Sequence, residues 1–362
     1  KKQNLKKYYL LLVWGILWTS YSIGQTNAVL SEEQANIISE KTNDFPENTE
    51  LAIALIKNGQ VSYHGVKRVN DSLEYSSNNN HLFEIGSITK VFTSTLLANL
   101  ILEDKIQLDT PIQSYLNYPI QNKQITVLQL ANHTSGLPRL PSNLDLGTAD
   151  PTNPYKNYSK DDLKKYLTSE FKLNNKPGST YEYSNVGAGI LGYLLEQQTN
   201  LTYEELLQKH ILSKYNMINT TTDINNTQLQ IVSPLDYEGN ETSHWNLNAL
   251  VAAGGILSNV EDLSKFIVAH FNTQNKELEL SRKTTFEIPQ YHMEVSLAWN
   301  IIKPDTEHTW YMHNGGTGGY TSIVALDNDN KNGNIILSNV SAFNEHARNI
   351  DQICLGLMKT QY

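Results

Sequence analysis

Ser87 and Lys90 stand three residues apart in GSITK, followed by a stretch whose apolar residues keep helical spacing from Val91 to Ile101. That spacing puts both side chains on one helix face. A serine hydroxyl becomes a nucleophile when a base removes its proton, and a lysine kept neutral by burial and nearby cations is such a base. A helix N-terminus adds free N–H groups and partial positive charge that stabilise developing negative charge. The spacing alone is weakly specific. Ser169 and Lys172 in SEFK share it, although that copy runs into LNNKPGS with no apolar helix behind it. Taken by itself, Ser87 also fits an ordinary N-cap serine.

Two further stretches carry possible chemistry. In YEYSNVGAGILG, Tyr183, Ser184 and Asn185 precede an apolar helical pattern. A phenol near cations can relay a proton, and an amide can orient a carbonyl, but Ser184 or Asn185 could equally be a helix cap. HNGGTGGY, residues 313–320, joins His313 and Asn314 to four glycines between apolar runs. It has neither the G-x-G-x-x-G pattern nor a P-loop lysine before a helix, so it is not a phosphate loop. A hairpin turn fits, as does a strand edge where glycine lets a ligand approach backbone N–H donors.

Helices and strands must bring these stretches together. SEEQANIISEKTNDF reads as a helix, and LAIALIKNGQVSYHGVKR as a hairpin turning at Asn58-Gly59. The middle of the chain is helical and loop-rich. AAGGILSNVEDLSKFIVAHF reads as one more helix, then short strands follow in VSLAWNII, HTWYMHN, YTSIVALD and NIILSNV before a last helix, NEHARNIDQICLGLMK. The expected fold class is α+β: an antiparallel sheet from residues 25–105 and 250–362, flanked by helices, with a mostly helical lobe inserted at 106–249. A cleft between the two is a natural small-molecule site.

Composition narrows the function. A net charge of −9 argues against nucleic-acid partners. The scattered 10 histidines offer no metal-ligand spacing, and DNDNKNGNI, though calcium-loop-like, lacks the closing glutamate and reads as an Asn-Gly turn at 332–333. No metal or cofactor is called for. Lys1, Lys2, Lys6 and Lys7 before YYLLLVWGILW, with small residues up to Gly24, read as a signal peptide over 1–24. The expectation is an exported protein, periplasmic or secreted, with no stable membrane span after processing. The single Cys354 sits at helical spacing with apolar residues and reads as a buried hydrophobe.

SITK, YSN and HNG, in that order, resemble the serine beta-lactamase and penicillin-binding protein superfamily. The branch they are most similar to holds class C beta-lactamases, D-alanyl-D-alanine carboxypeptidases and related esterases. FEIGSITKVFTSTLLANLILEDKIQLDTPIQSYL, ITVLQLANHTSGLP and AAGGILSNVEDLSKF extend the likeness over roughly residues 30 to 358. The resemblance implies a beta-lactamase/transpeptidase-like fold and an acyl-enzyme on Ser87. It implies Lys90 as base or as the cation that tunes one, Tyr183 exchanging protons with Ser87 and the leaving group, and Asn185 bonded to Lys90 and to a substrate amide. Backbone N–H groups of Ser87 and Gly316 would form the oxyanion hole, and Asn314 and Gly315 would touch substrate. The implied substrate is a small molecule or peptide, such as a cell-wall stem. The implied activity is carboxypeptidase-like with beta-lactam reactivity; the alternatives are a weakly turning-over beta-lactamase, a small-ester carboxylesterase, or a penicillin-binding protein without catalysis. His313 departs from the lysine usual in class C enzymes. It replaces a fixed charge with a group whose reference pKa is near ~6.5, which disfavours efficient lactam turnover.

Overall fold

The computed structural model describes residues 29–122 and 124–362; the expected signal peptide at 1–24 lies outside them. The chain enters through a helix, Glu32–Thr42, whose start is fixed by a capping box between Ser31 and Gln34. Strands β1 (Glu50–Lys57), β2 (Gln60–Val69) and β3 (Ser72–Tyr75) then form a meander, and the short β4 (Phe83–Glu84) leads to the Ser87 turn. Asn58 and Gly59, both at positive φ, make the expected tight turn between β1 and β2.

After the helical segment the chain returns as β5 (Leu257–Ser258), β6 (Phe286–Ile288), β7 (Met293–Val295), β8 (Asn300–Ile302), β9 (Trp310–Gly316), β10 (Thr321–Asp327) and β11 (Asn332–Ser338). The large sheet runs β3-β2-β1-β11-β10-β9-β8-β7-β6, antiparallel throughout, while β4 and β5 pair separately. This is the expected α+β arrangement of one antiparallel sheet flanked by helices.

The central strands are buried on both faces, so each sends alternate residues into two cores. Leu51, Ile53 and Leu55 of β1, with Ile323 of β10 and Ile336 of β11, pack under the first helix and the last, Asn349–Lys359. Cys354 is buried in that core, as its spacing predicts. Ala52, Ala54 and Ile56, with Val324 and Leu337, face the other way. They join one continuous core with the helices Thr89–Leu102, Asn185–Thr199 and Val260–Ala269.

Three local expectations are corrected. The turn before β11 lies at residues 328–331, with Lys331 at positive φ, and Asn332 and Gly333 already pair with Asp327 and Leu326. Asp327 accepts bonds from the N–H groups of Asp329 and Asn330, which fixes the turn earlier than an Asn-Gly pair would. VSLAWNII is two strands rather than one: Ala298 takes positive φ and donates to the carbonyl of Ala131, and Trp299 is fully buried. AAGGILSNVEDLSKF is a short helix (Val251–Gly254), then β5, then a helix capped by Asn259, because Gly254 and Gly255 interrupt the helical run.

Candidate active site

Ser87 lies in a tight turn, Gly86–Ile88, that feeds directly into the helix Thr89–Leu102. The turn is pressed against β9. A side chain on Gly86, which also sits at φ +49°, would meet the Gly316 nitrogen at 2.5 Å; one on Gly315 would meet the Ile85 carbonyl oxygen at 2.1 Å and the Ser87 nitrogen at 2.9 Å. Ser322 of β10 donates its hydroxyl to the same Ile85 carbonyl at 2.8 Å and fixes the approach. HNGG is thus neither turn nor phosphate loop but the end of β9, and its glycines let that strand end lie against the Ser87 turn.

Lys90 follows one helical turn after Ser87, and its side chain is 2% exposed. Its Nζ donates to the Ala253 carbonyl at 2.6 Å and to Ser87 Oγ at 3.0 Å, and lies 4.8 Å from the centre of the Tyr183 ring. Burial, with the Arg139 charge, holds its pKa well below the usual lysine range. Burial also pushes the Tyr183 phenol upward, and a hydrogen bond with Ser87 acts against that rise.

The competing cap interpretation holds for Ser184 alone. Its hydroxyl accepts from the Gly187 N–H at 2.9 Å, and Asn185 begins the helix Asn185–Thr199. Asn185 lines the cleft, but the expected bond to Lys90 is not among those formed, and Asn185 Oδ1 is buried without a partner. The Ala253 carbonyl occupies the amine instead.

His313 pairs with Val324, so it shares the face that points to Ser87; Asn314 pairs with Ile323 and points to the opposite core. Asn314 accordingly donates to Asp351 on the last helix at 3.0 Å, and the two reach the cleft together at its rim. Buried His313 donates from Nδ1 to the Asn314 carbonyl at 2.6 Å, since a carbonyl can only accept. Burial and the nearby Lys90 lower its pKa to about 3, so it is neutral at pH 7 and does not titrate in the physiological range.

Two residues that spacing did not single out complete the site. His133 accepts the Ser184 N–H on Nδ1 at 3.1 Å, takes the Glu182 N–H on its carbonyl at 2.8 Å, and lays its ring 4.5 Å from that of Tyr183. It therefore clamps Tyr183 from both sides of the backbone. The Arg139 carbonyl accepts from Asn185 and Val186 at 2.9 and 3.2 Å, and its guanidinium lies 5.1 Å from the Tyr183 ring centre. Both belong to the Gly- and Pro-punctuated stretch HTSGLPR, the one signal that could have found them. Ser87, Tyr183, Asn185, His313, Asn314, Gly315 and Gly316 open on one cleft of about 770 Å³, walled further by Arg139, Tyr155, Trp245 and Phe343.

The Beta-lactamase family model matches residues 42–354. Among curated relatives, Protein flp of Staphylococcus aureus (strain MW2) is 24% identical over 332 residues; the match takes in 86% of this chain but only 64% of that protein's length. A Beta-lactamase of Pseudomonas fluorescens is 26% identical over 260 residues, 69% of either chain. Among solved structures, a Beta-Lactamase/D-Alanine Carboxypeptidase from Pseudomonas syringae superposes with a TM-score of 0.76 at 19% identity, over 91% of this chain and 98% of that one. An octameric penicillin-binding protein homologue from Pyrococcus abyssi gives 0.76 at 23% identity, over 91% and 77%.

Two outcomes are expected. Gly315→Ala should force β9 away from the Ser87 turn and lower kcat by about a hundredfold, the scale of losing one oxyanion donor, with thermal unfolding as the check that the chain still folds; wild-type kcat in a folded Gly315→Ala protein would contradict the close approach. For His313, the unfolded chain takes up a proton near ~6.5 while the folded one waits until about pH 3. Between those values the unfolded state binds more protons, so stability rises with pH and is lost on acidification. The urea midpoint should therefore drop from pH 7 to pH 4 by more in wild type than in His313→Asn.

Proposed function

Because this chain belongs to the beta-lactamase family of serine hydrolases, we propose that it forms an acyl-enzyme on Ser87 and cleaves D-amino-acid-type amide bonds, as in cell-wall peptide stems. Beta-lactams then act as inhibitors or slow substrates. The observation that carries this reading is the buried Lys90 amine 3.0 Å from Ser87 Oγ, with its pKa depressed and its other contact a neutral carbonyl. The Pseudomonas syringae protein of like fold is described as a D-alanine carboxypeptidase as well as a beta-lactamase, which supports the substrate class.

In this reading Lys90 takes the proton as Ser87 Oγ attacks the scissile carbonyl. The raised pKa of Tyr183 keeps its phenol protonated, which suits it to pass a proton to the leaving group and be reprotonated from the Lys90 ammonium, rather than to serve as the base. The Ser87 and Gly316 N–H groups receive the oxyanion, each such donor being worth about 3 kcal/mol. Asn185 Oδ1, buried and unpaired, is free to accept a substrate amide N–H. Water then releases the acyl group. The chain is exported, periplasmic or secreted, with residues 1–24 as its signal peptide. The segment 106–249 is the inserted lobe, and all paired strands among the described residues lie outside it. Among those residues no helix is long and apolar enough to cross a membrane.

A second reading, hydrolysis of small esters, draws on His313. A neutral imidazole in place of a fixed charge relaxes the demand for a carboxylate beside the scissile bond.

A fluorescent penicillin should label the protein covalently, and Ser87→Ala should abolish the label; a label that persists in Ser87→Ala would remove Ser87 from the chemistry. Turnover of D-Ala-D-Ala peptides supports the first reading. Rapid hydrolysis of p-nitrophenyl esters with those peptides untouched supports the second.

A further inference from the structure

Five basic side chains stand in or under the cleft around Ser87, and the three buried ones are committed to protein partners. Lys90 spends its amine on Ser87 and Ala253. His313 is a neutral ring bonded to the Asn314 carbonyl. His133 accepts the Ser184 N–H on Nδ1, and Arg348 is exposed at the rim, where its charge favours ionising the Asp351 carboxyl with no ion pair between them. Of the two arginines, Arg139 is the one held over the Tyr183 ring. It is exposed on the cleft wall, and no ion pair or side-chain hydrogen bond among the described residues uses its guanidinium. This holds in a chain with a net charge of −9, where acidic partners are plentiful.

Its position is nonetheless built. The Arg139 carbonyl receives the N–H groups of Asn185 and Val186, and the neighbouring Pro138 carbonyl accepts the Ser184 hydroxyl at 2.7 Å. The loop is thereby fixed to the helix start that carries Tyr183 and Asn185. Over the Tyr183 ring and without a protein partner for its N–H groups, the guanidinium keeps them for a ligand, and an arginine stays charged at every working pH. Beyond it the wall is apolar, through Leu146, Trp245 and Phe343, the last 67% exposed.

We propose that Arg139 is a specificity-determining residue that binds a carboxylate of the substrate, so that the preferred substrates are anionic, with an apolar body against the Trp245 side. This rests on the acyl-enzyme reading above. The carboxylate can belong to the acyl chain or to the leaving group, and two matched pairs of thioesters separate these. One pair carries a glutaryl or a glutaramoyl acyl chain on a common thiol; the other joins one acyl chain to thioglycolate or to thioglycolamide.

The readout is the ratio of kcat/KM for the charged over the neutral member. In Arg139→Gln that ratio should fall about tenfold or more for at least one pair, the scale of a charged hydrogen bond. Arg139→Lys should recover part of it, and in wild type added salt should erode it. The affected pair identifies which side bears the carboxylate. Equal ratios in wild type and Arg139→Gln for both pairs overturn the proposal while leaving Ser87 in place. Wild-type turnover of these thioesters by Ser87→Ala would instead overturn the acyl-enzyme reading.

Discussion

The contact on which this structure depends has no side chains in it. Gly86 on one side and Gly315 and Gly316 on the other let the start of a helix touch the end of a central strand, backbone to backbone. A β-carbon on Gly86 or Gly315 would fall within 2.5 Å of a main-chain atom, closer than packed atoms approach. The Ser322 hydroxyl fixes the junction, and Lys90, one helical turn on, inherits its place from it. The sheet supplies a rigid edge, the helix supplies the reactive pair, and the glycines allow the two to meet.

Around that junction the electrostatics are arranged in depth. The lysine, both histidines and the tyrosine beside the nucleophile are buried and biased toward their neutral forms by desolvation. The lasting charge sits farther out, on Arg139, close enough to depress Lys90 yet open to the cleft. A neutral interior leaves the Lys90 amine able to accept the serine proton, and the oxyanion donors offset the charge that the transfer creates.

Much of this was legible in the residues. Ser87, Lys90 and Tyr183 carry their chemistry in their types and order, and the strand–helix–strand layout follows from periodicity. Less legible were roles that arise from pairing across long separations. Which way Asn314 points is set by the register of β9 on β10, and a one-residue change would exchange it with His313. His133 acts through backbone groups about fifty residues away, so no local pattern marks it. The Asn185–Lys90 bond that the resemblance implied gives way to a carbonyl from Ala253, a partner that composition cannot single out. The turn before β11 falls earlier than its Asn-Gly pair indicates, because the Asp327 side chain holds residues 329 and 330.

The order of strands has a consequence for how the chain acquires its shape. β1 lies between β2, its immediate successor, and β11, so that Leu51 pairs with Ser338 across nearly the whole described chain. The early hairpin can form as soon as it is made, but one edge of β1 stays unpaired until β11 arrives. Until then that edge offers a row of free backbone groups flanked by Leu51, Ile53 and Leu55, the kind of surface on which unfinished chains associate. Sheet closure of such high contact order is slow. The same long-range pairing that gives β9 a firm backing therefore leaves the newly made chain open to association until its last strands are in place.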